Sequence, residues 1–456
     1  MAKSGAGGAV LEIINARLPL ADERHYYTLR AENGVWTAIG RQSGRLEPGG
    51  YISLDMPEGA YAKRLDAEGK LVLPGLVDAH MHLDKAFSLP WAANRSGTLA
   101  EAIASYSRQA PLFAKDEIKA RMTRMALQTV SYGTTAIRTH IDVHAEAGAR
   151  VALRSVEAAL EVKEKLAPWV RVQIFPMAPY RAQPGFGMEL IGEMLAMGVD
   201  GIGGAPHLAD EPEAHIDRIF ELADRYGCPV DLHVDESDDP AMRTCVYIAE
   251  RTAAYGMGGR VVAGHLCSLS AMNPEDAAYA IGRLAEAGVA AVTLPAANLY
   301  LQGRADRRAV RRGVTRVKEL AAAGVPVAAA SDNVHDPFHP FGRGDLLQIA
   351  LITAYAAHMG APSDLRQLLR MITEIPAGII GISGYGIKAG CEADFVVIDA
   401  RSPEELFAMQ PERRWVYRAG SCLAAAAPPA AWADPALADE WAAARNVGFA
   451  GVLAER

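Results

Sequence analysis

The sequence predicts a (β/α)8 TIM barrel, an α/β fold, flanked by a small β-sandwich built from both terminal segments. Three observations predict it. Between residues 71 and 384, short apolar runs alternate with long alanine- and glutamate-rich helical runs, which implies parallel βα units. Eight such units fall within about 300 residues, the size of one barrel. On either side, residues 1–70 and 385–422 have β character and weak helical periodicity. A doubly wound open sheet is the second choice for the central region.

Taken in order, Val10 to Ala16, Tyr26 to Leu29 and Val35 to Ile39 read as strands, separated by turn formers such as Glu32-Asn33-Gly34. Matching runs return at Asp394 to Asp399 and Trp415 to Gly420, so the two ends are expected to pair. The apolar run from Leu71 into His80-Met81-His82 reads as one strand. The eight barrel strands are expected at Leu76 to His82, Thr135 to His140, Arg171 to Phe175 and Gly201 to Gly203. The series continues at Val230 to Val234, Arg260 to His265, Ala290 to Leu294 and Pro326 to Ser331. Pairs such as Gly198-Val199, Gly227-Cys228, Gly288-Val289 and Gly324-Val325 look like helix-ending glycines that lead into a strand. Residues 423–456, with Trp432 and Trp441, are expected to form a partly ordered surface tail.

The bulk numbers narrow the function classes. A chain of 456 residues exceeds one small core and fits a barrel with an accessory domain. The 54 acidic residues outnumber the 46 basic ones, which argues against a nucleic-acid partner. Five scattered cysteines form no C-x-x-C pair, so reduced thiols in a cytoplasmic protein are expected. The first eight residues contain no apolar run, and no apolar stretch reaches 18 residues. Neither a secretory signal nor a membrane span is expected.

Catalytic groups of such barrels sit at the C-terminal ends of the strands. Strand one ends in His80 and His82, which alternation places on one face. Strand five ends in His233-Val234-Asp235-Glu236, strand six in His265 and strand eight in Ser331-Asp332-Asn333. Any one of these alone reads as a hydrogen-bonded core residue. Together, His80, His82, His233 and Asp332 form a candidate ligand set of three imidazoles and a carboxylate. That set suits one divalent ion: Zn²⁺, Fe²⁺ or Mn²⁺. The ion would acidify a bound water towards a pKa of about 7. Asp332 is also expected to accept that water's proton, His265 to orient or polarise, and Glu236 to carry protons to the substrate.

These residues resemble the amidohydrolase superfamily, within it the branch of bacterial cytosine deaminase and N-isopropylammelide amidohydrolase. The resemblance runs from about residue 66 to 422. It is carried by His80-Met81-His82-Leu83-Asp84-Lys85, Arg138-Thr139-His140-Ile141-Asp142-Val143, Gly204-Ala205-Pro206-His207 and His233-Val234-Asp235-Glu236. Leu301-Gln302-Gly303-Arg304, Arg312 to Glu319 and Ser331-Asp332-Asn333-Val334-His335-Asp336-Pro337-Phe338 extend it. It implies a mononuclear centre with the four ligands above, Glu236 as proton shuttle and His265 as polarising group. Binuclear members carry a lysine at the end of strand four; here that strand reads Gly201-Ile202-Gly203-Gly204.

Three departures bear on substrate. Met177 stands where cytosine deaminases carry a glutamine that reads the pyrimidine amide edge. Asn333 replaces the second aspartate after strand eight, and Lys85 replaces a small hydroxyl residue. Phe338 matches an aromatic over the substrate ring. Losing a group that reads a polar edge costs orders of magnitude in discrimination, so cytosine itself is disfavoured. The expected function is hydrolytic deamination of an aminated N-heterocycle, a small-molecule substrate, by a homo-oligomeric enzyme acting on non-peptide C–N bonds. The alternatives are removal of an N-alkylamino group from a triazine, opening of a cyclic amide, and an inactive barrel serving as a binding scaffold.

Overall fold

A computed structural model of the chain describes residues 10–56, 59–181, 184–412 and 414–425. From residue 426 on, the expected tail lies outside the described residues.

The N-terminal strands are β1 (Val10–Ala16), β2 (Tyr27–Glu32), β3 (Val35–Arg41), β4 (Ile52–Ser53) and β5 (Arg64–Asp66). They form one sheet in the order β3-β2-β1-β5-β4. A second sheet takes β6 (Leu71–Pro74) from this end of the chain. From the other end it takes β15 (Phe395–Ile398), β16 (Arg414–Arg418) and β17 (Ser421–Ala425), in the order β17-β16-β15-β6. Alternating inward residues of both sheets share one core, as a sandwich requires. Trp36 of the first sheet packs on Phe395 of the second at 5.2 Å between ring centroids, and Phe395 stacks on Tyr417 at 4.4 Å.

The apolar run from Leu71 to His82 is two strands in two sheets. β6 pairs antiparallel with β15. After Gly75 the chain enters β7 (Leu76–Met81), which pairs parallel with β8 (Thr134–Ile141). Periodicity could not show the break, because Leu71–Pro74 and Leu76–Met81 are buried throughout. The crossing point is crowded: a Cβ on Gly75 would lie 2.3 Å from Thr135 Oγ1. Only glycine fits there without moving the neighbouring strand.

The barrel continues through β9 (Arg171–Ala178), β10 (Ile202–Gly204), β11 (Val230–Val234), β12 (Val261–His265), β13 (Ala290–Thr293) and β14 (Val327–Ala329). Its eight strands are ordered β14-β13-β12-β11-β10-β9-β8-β7, each pair that is described running parallel. A parallel bridge between Met81 and Asp332 joins the two edges, with the Asp332 N–H donating to His80 O at 2.9 Å. The expected barrel with a terminal sandwich is the observed fold. Barrel and sandwich are tied by Arg414, whose guanidinium donates to both carboxylate oxygens of Asp345, at 2.7 and 2.9 Å. Among the described residues, no helix is long and apolar enough to cross a membrane.

Candidate metal centre and active site

Strand alternation and the barrel closure bring the expected ligands together. His80 Nε2 lies 3.2 Å from His233 Nε2, and His82 Nε2 lies 3.0 Å from the same atom. Asp332 Oδ1 stands 3.6 Å from His80 Nε2 and 3.4 Å from His82 Nε2. With metal–nitrogen bonds near 2.1 Å, ligands around one tetrahedral ion are spaced by about 3.4 Å. All four side chains are buried, and Asp332 Oδ1 has no hydrogen-bond partner. A buried anion facing imidazole lone pairs is costly without a cation, so the donor set fits a divalent ion.

The protonation states agree. Burial, reinforced by neighbouring imidazoles and Lys85, holds His80 and His82 well below the usual histidine range; burial and the surrounding imidazoles do the same to His233. They are therefore neutral at pH 7, as metal ligation requires. Burial, with the nearby Asp336 carboxylate adding to it, pushes the Asp332 carboxyl up to about 8; a dication would reverse the shift.

The packing that permits this is tight. A Cβ on Gly264 of β12 would meet the His80 ring at 3.2 Å. Two strand-end residues of the site, His265 (φ 67°) and Asp332 (φ 59°), and Asp235 (φ 50°) beside it adopt left-handed backbone. Such conformations persist where the surroundings over-determine them, and they cluster at functional sites. Asp235 turns away from the centre, with its carboxylate accepting from Thr244 N at 3.0 Å and Cys245 N at 3.0 Å, at the start of the helix Thr244–Ala254.

Glu236 and His265 form a pair beside the ligands, with Glu236 Oε1 3.5 Å from His265 Nδ1. The Asn298 amide donates to that Nδ1 at 2.9 Å, which leaves the ring proton on Nε2. Nε2 is buried and has no protein partner. Burial, with the nearby Asp332 charge, holds the Glu236 carboxyl well above the carboxylate range.

The cavity next to these groups is lined by Lys85, Met177, Asn333 and Phe338 together with His82, His233, Glu236 and His265. Every substrate-facing residue expected from the sequence therefore reaches it. Two of them are already engaged. Lys85 Nζ pairs with Asp142 at 3.0 Å and sits 4.3 Å from the Phe338 ring centroid. Burial opposes its charge, but Asp142, Asp84 and Asp336 raise its pKa overall. The Asn333 amide donates to Asp336 at 2.6 Å.

Other residues carry no sequence-derived role. His140 stacks 4.1 Å from the His80 ring and lies 3.3 Å from Asp231, which accepts from Arg138 at 2.8 Å. His80, His140 and Asp231 could also converge on an ion, but the Arg138 guanidinium already neutralises Asp231. This stack supports the His80 ring from behind. His207 donates from Nδ1 to His233 O at 3.1 Å. His140 ends the second predicted strand, so the strand-end rule could have flagged it. The helix α1 (Leu99–Gln109) also lines the cavity, and no strand-end rule points there.

A model of the amidohydrolase family matches residues 63–164 and 99–424. The pterin deaminase of Rhizobium rhizogenes (strain K84) is 33% identical over 383 residues, covering 82% of this chain and 86% of that protein. The N-isopropylammelide isopropyl amidohydrolase of Pseudomonas sp. (strain ADP) is 32% identical over 379 residues, 80% of this chain and 89% of that one. A crystal structure of 5-methylcytosine deaminase from Klebsiella pneumoniae, liganded with 5-fluorocytosine, superposes with a TM-score of 0.84 at 30% identity. It covers 93% of this chain and 100% of that one.

Proposed function

The chain belongs to the amidohydrolase family, and from that premise we propose that it is a metal-dependent hydrolase that deaminates an aminated N-heterocycle. One observation carries the reading: three imidazole nitrogens and a carboxylate oxygen all lie within 4.8 Å of one another, beside the buried Glu236–His265 pair. His80, His82, His233 and Asp332 would hold one divalent ion, Zn²⁺ or Fe²⁺, with Mn²⁺ also compatible. When bound, that ion supplies a water acidified towards neutral pH. The absence of a lysine from the Ile202–Gly204 strand supports one ion over two.

The chain's own residues then do the proton work. Asp332 takes a proton from the water as it attacks the sp² carbon that bears the amine. Glu236, whose burial favours the protonated carboxyl, gives its proton to the adjacent ring nitrogen. His265 Nε2–H hydrogen-bonds the oxygen that gains charge in the tetrahedral intermediate. The proton on Asp332 passes to the leaving amine, the C–N bond breaks and ammonia departs. Glu236 recovers its proton as the oxygen becomes a carbonyl. Phe338 and the Lys85–Asp142 pair border the ring, and Met177 leaves one ring edge without a hydrogen-bond partner. The Pseudomonas relative's name favours a second leaving group on the same machinery, an alkylamine.

A screen of aminated pyrimidines, triazines, pterins and lactams with the metal-replete enzyme tests the proposal. Ammonia release from at least one planar aminated ring is expected. Alkylamine release alone would favour the second reading. Release of neither from any compound would overturn both.

A further inference from the structure

The cavity has two unlike ends. The inner end carries the imidazoles, Glu236 and Asn333. Beyond the strands, four apolar side chains line the same space while only half-buried: Leu99, Ile103, Tyr180 and Leu208. Leu99 and Ile103 are four residues apart on one face of α1. Thr98 fixes that helix's start, its side chain accepting from Glu101 N, while Glu101 accepts from Ser96 N at 2.6 Å. Tyr180 follows the end of β9 and Leu208 the end of β10.

Four polar groups lining the cavity are engaged in pairs. Lys85 is paired with Asp142, and His144 lies 3.6 Å from Glu146. Arg181 is exposed at the rim. Apolar surface facing a wet cavity is a standing cost that an apolar ligand removes.

We propose that the substrate is an aminated N-heterocycle bearing a neutral apolar arm, with the ring at the metal centre and the arm against α1 and Tyr180. This rests on the deaminase reading above. The arm supplies binding through Leu99, Ile103, Tyr180 and Leu208; the ring supplies the bond that breaks. A wall that merely excludes water would bind armed and bare rings alike.

The test is calorimetric binding to the Zn²⁺-loaded Glu236→Gln enzyme. The ligands are aminopyrimidinones and aminotriazines carrying hydrogen, n-butyl or phenyl at each ring position in turn. The best armed compound is expected to bind at least about tenfold tighter than its bare parent. Ile103→Asp should bring that ratio close to one and Ile103→Ala should leave it intermediate, each in protein whose melting matches the parent enzyme. Armed compounds that bind no tighter than their parents would overturn the proposal. So would an Ile103→Asp change that weakens both classes by the same factor. Ammonia release by the wild-type enzyme is read separately. Its absence from every tightly bound compound would overturn the deaminase reading while leaving the arm preference measured.

Discussion

The sandwich core and the open end of the barrel are both buried, yet they are filled in opposite ways. Trp36, Phe395 and Tyr417 fill the sandwich with aromatic surface. His80, His82, His233, His265 and Asp332 fill the barrel end with lone pairs and charge, two of whose carriers hold left-handed backbone. The first region stabilises itself by burial. The second is complete only when something else occupies it. A fold can carry such a region because the barrel beneath it and the sandwich beside it supply the stability that the site does not.

Substitutions should therefore separate the two regions. His233→Ala is expected to lose the metal and lower turnover by more than about 10⁴-fold, beyond a general acid–base contribution alone. Trp36→Ala should cost about 3–5 kcal/mol of stability while folded protein keeps its full metal content. Metal analysis beside chemical denaturation checks both. A Trp36→Ala enzyme that folds normally but lacks metal would break the comparison.

Within the barrel end, holding the metal and moving protons should also separate. Glu236→Gln is expected to keep the metal and lower kcat by about 10²–10⁴-fold. Steady-state kinetics with metal analysis reads this directly, and a variant with normal rates would remove Glu236 from the mechanism.

Acid should act on the barrel end first. The folded-state pKa values of His80, His82, His233 and His265 lie below the ordinary 6.5, chiefly because of burial. Below pH 6.5 the unfolded chain then binds more protons than the folded one. The stability these groups contribute is present above 6.5 and is lost as pH falls. His215, lowered to about 4 mainly by burial, adds in the same direction. Protons also compete with the metal for the imidazoles. Metal content should therefore fall between pH 7 and pH 5. Metal content that stays constant over that range would contradict the assignment.

Much of this was legible in the sequence, for a physical reason. A βα barrel repeats one pattern, and its chemistry gathers at one end of each strand, so His80, His82, His233, His265 and Asp332 stand out in one dimension. The break at Gly75 did not, because both flanking strands are wholly buried and read as one apolar run. The turn of Asn333 towards Asp336 depends on loop geometry, which has no period. Leu99 and Ile103 have the four-residue spacing of any helix face; that this face meets a cavity is a tertiary fact.

The central claim is that three imidazoles and one carboxylate hold a single catalytic ion. Metal content per chain, measured together with ammonia release from an accepted aminated heterocycle before and after chelation, tests it most directly. The account predicts one Zn²⁺ or Fe²⁺ per chain, activity lost on chelation and activity restored by one equivalent of metal. Full activity in metal-free protein, or a requirement for two ions per chain, would contradict it.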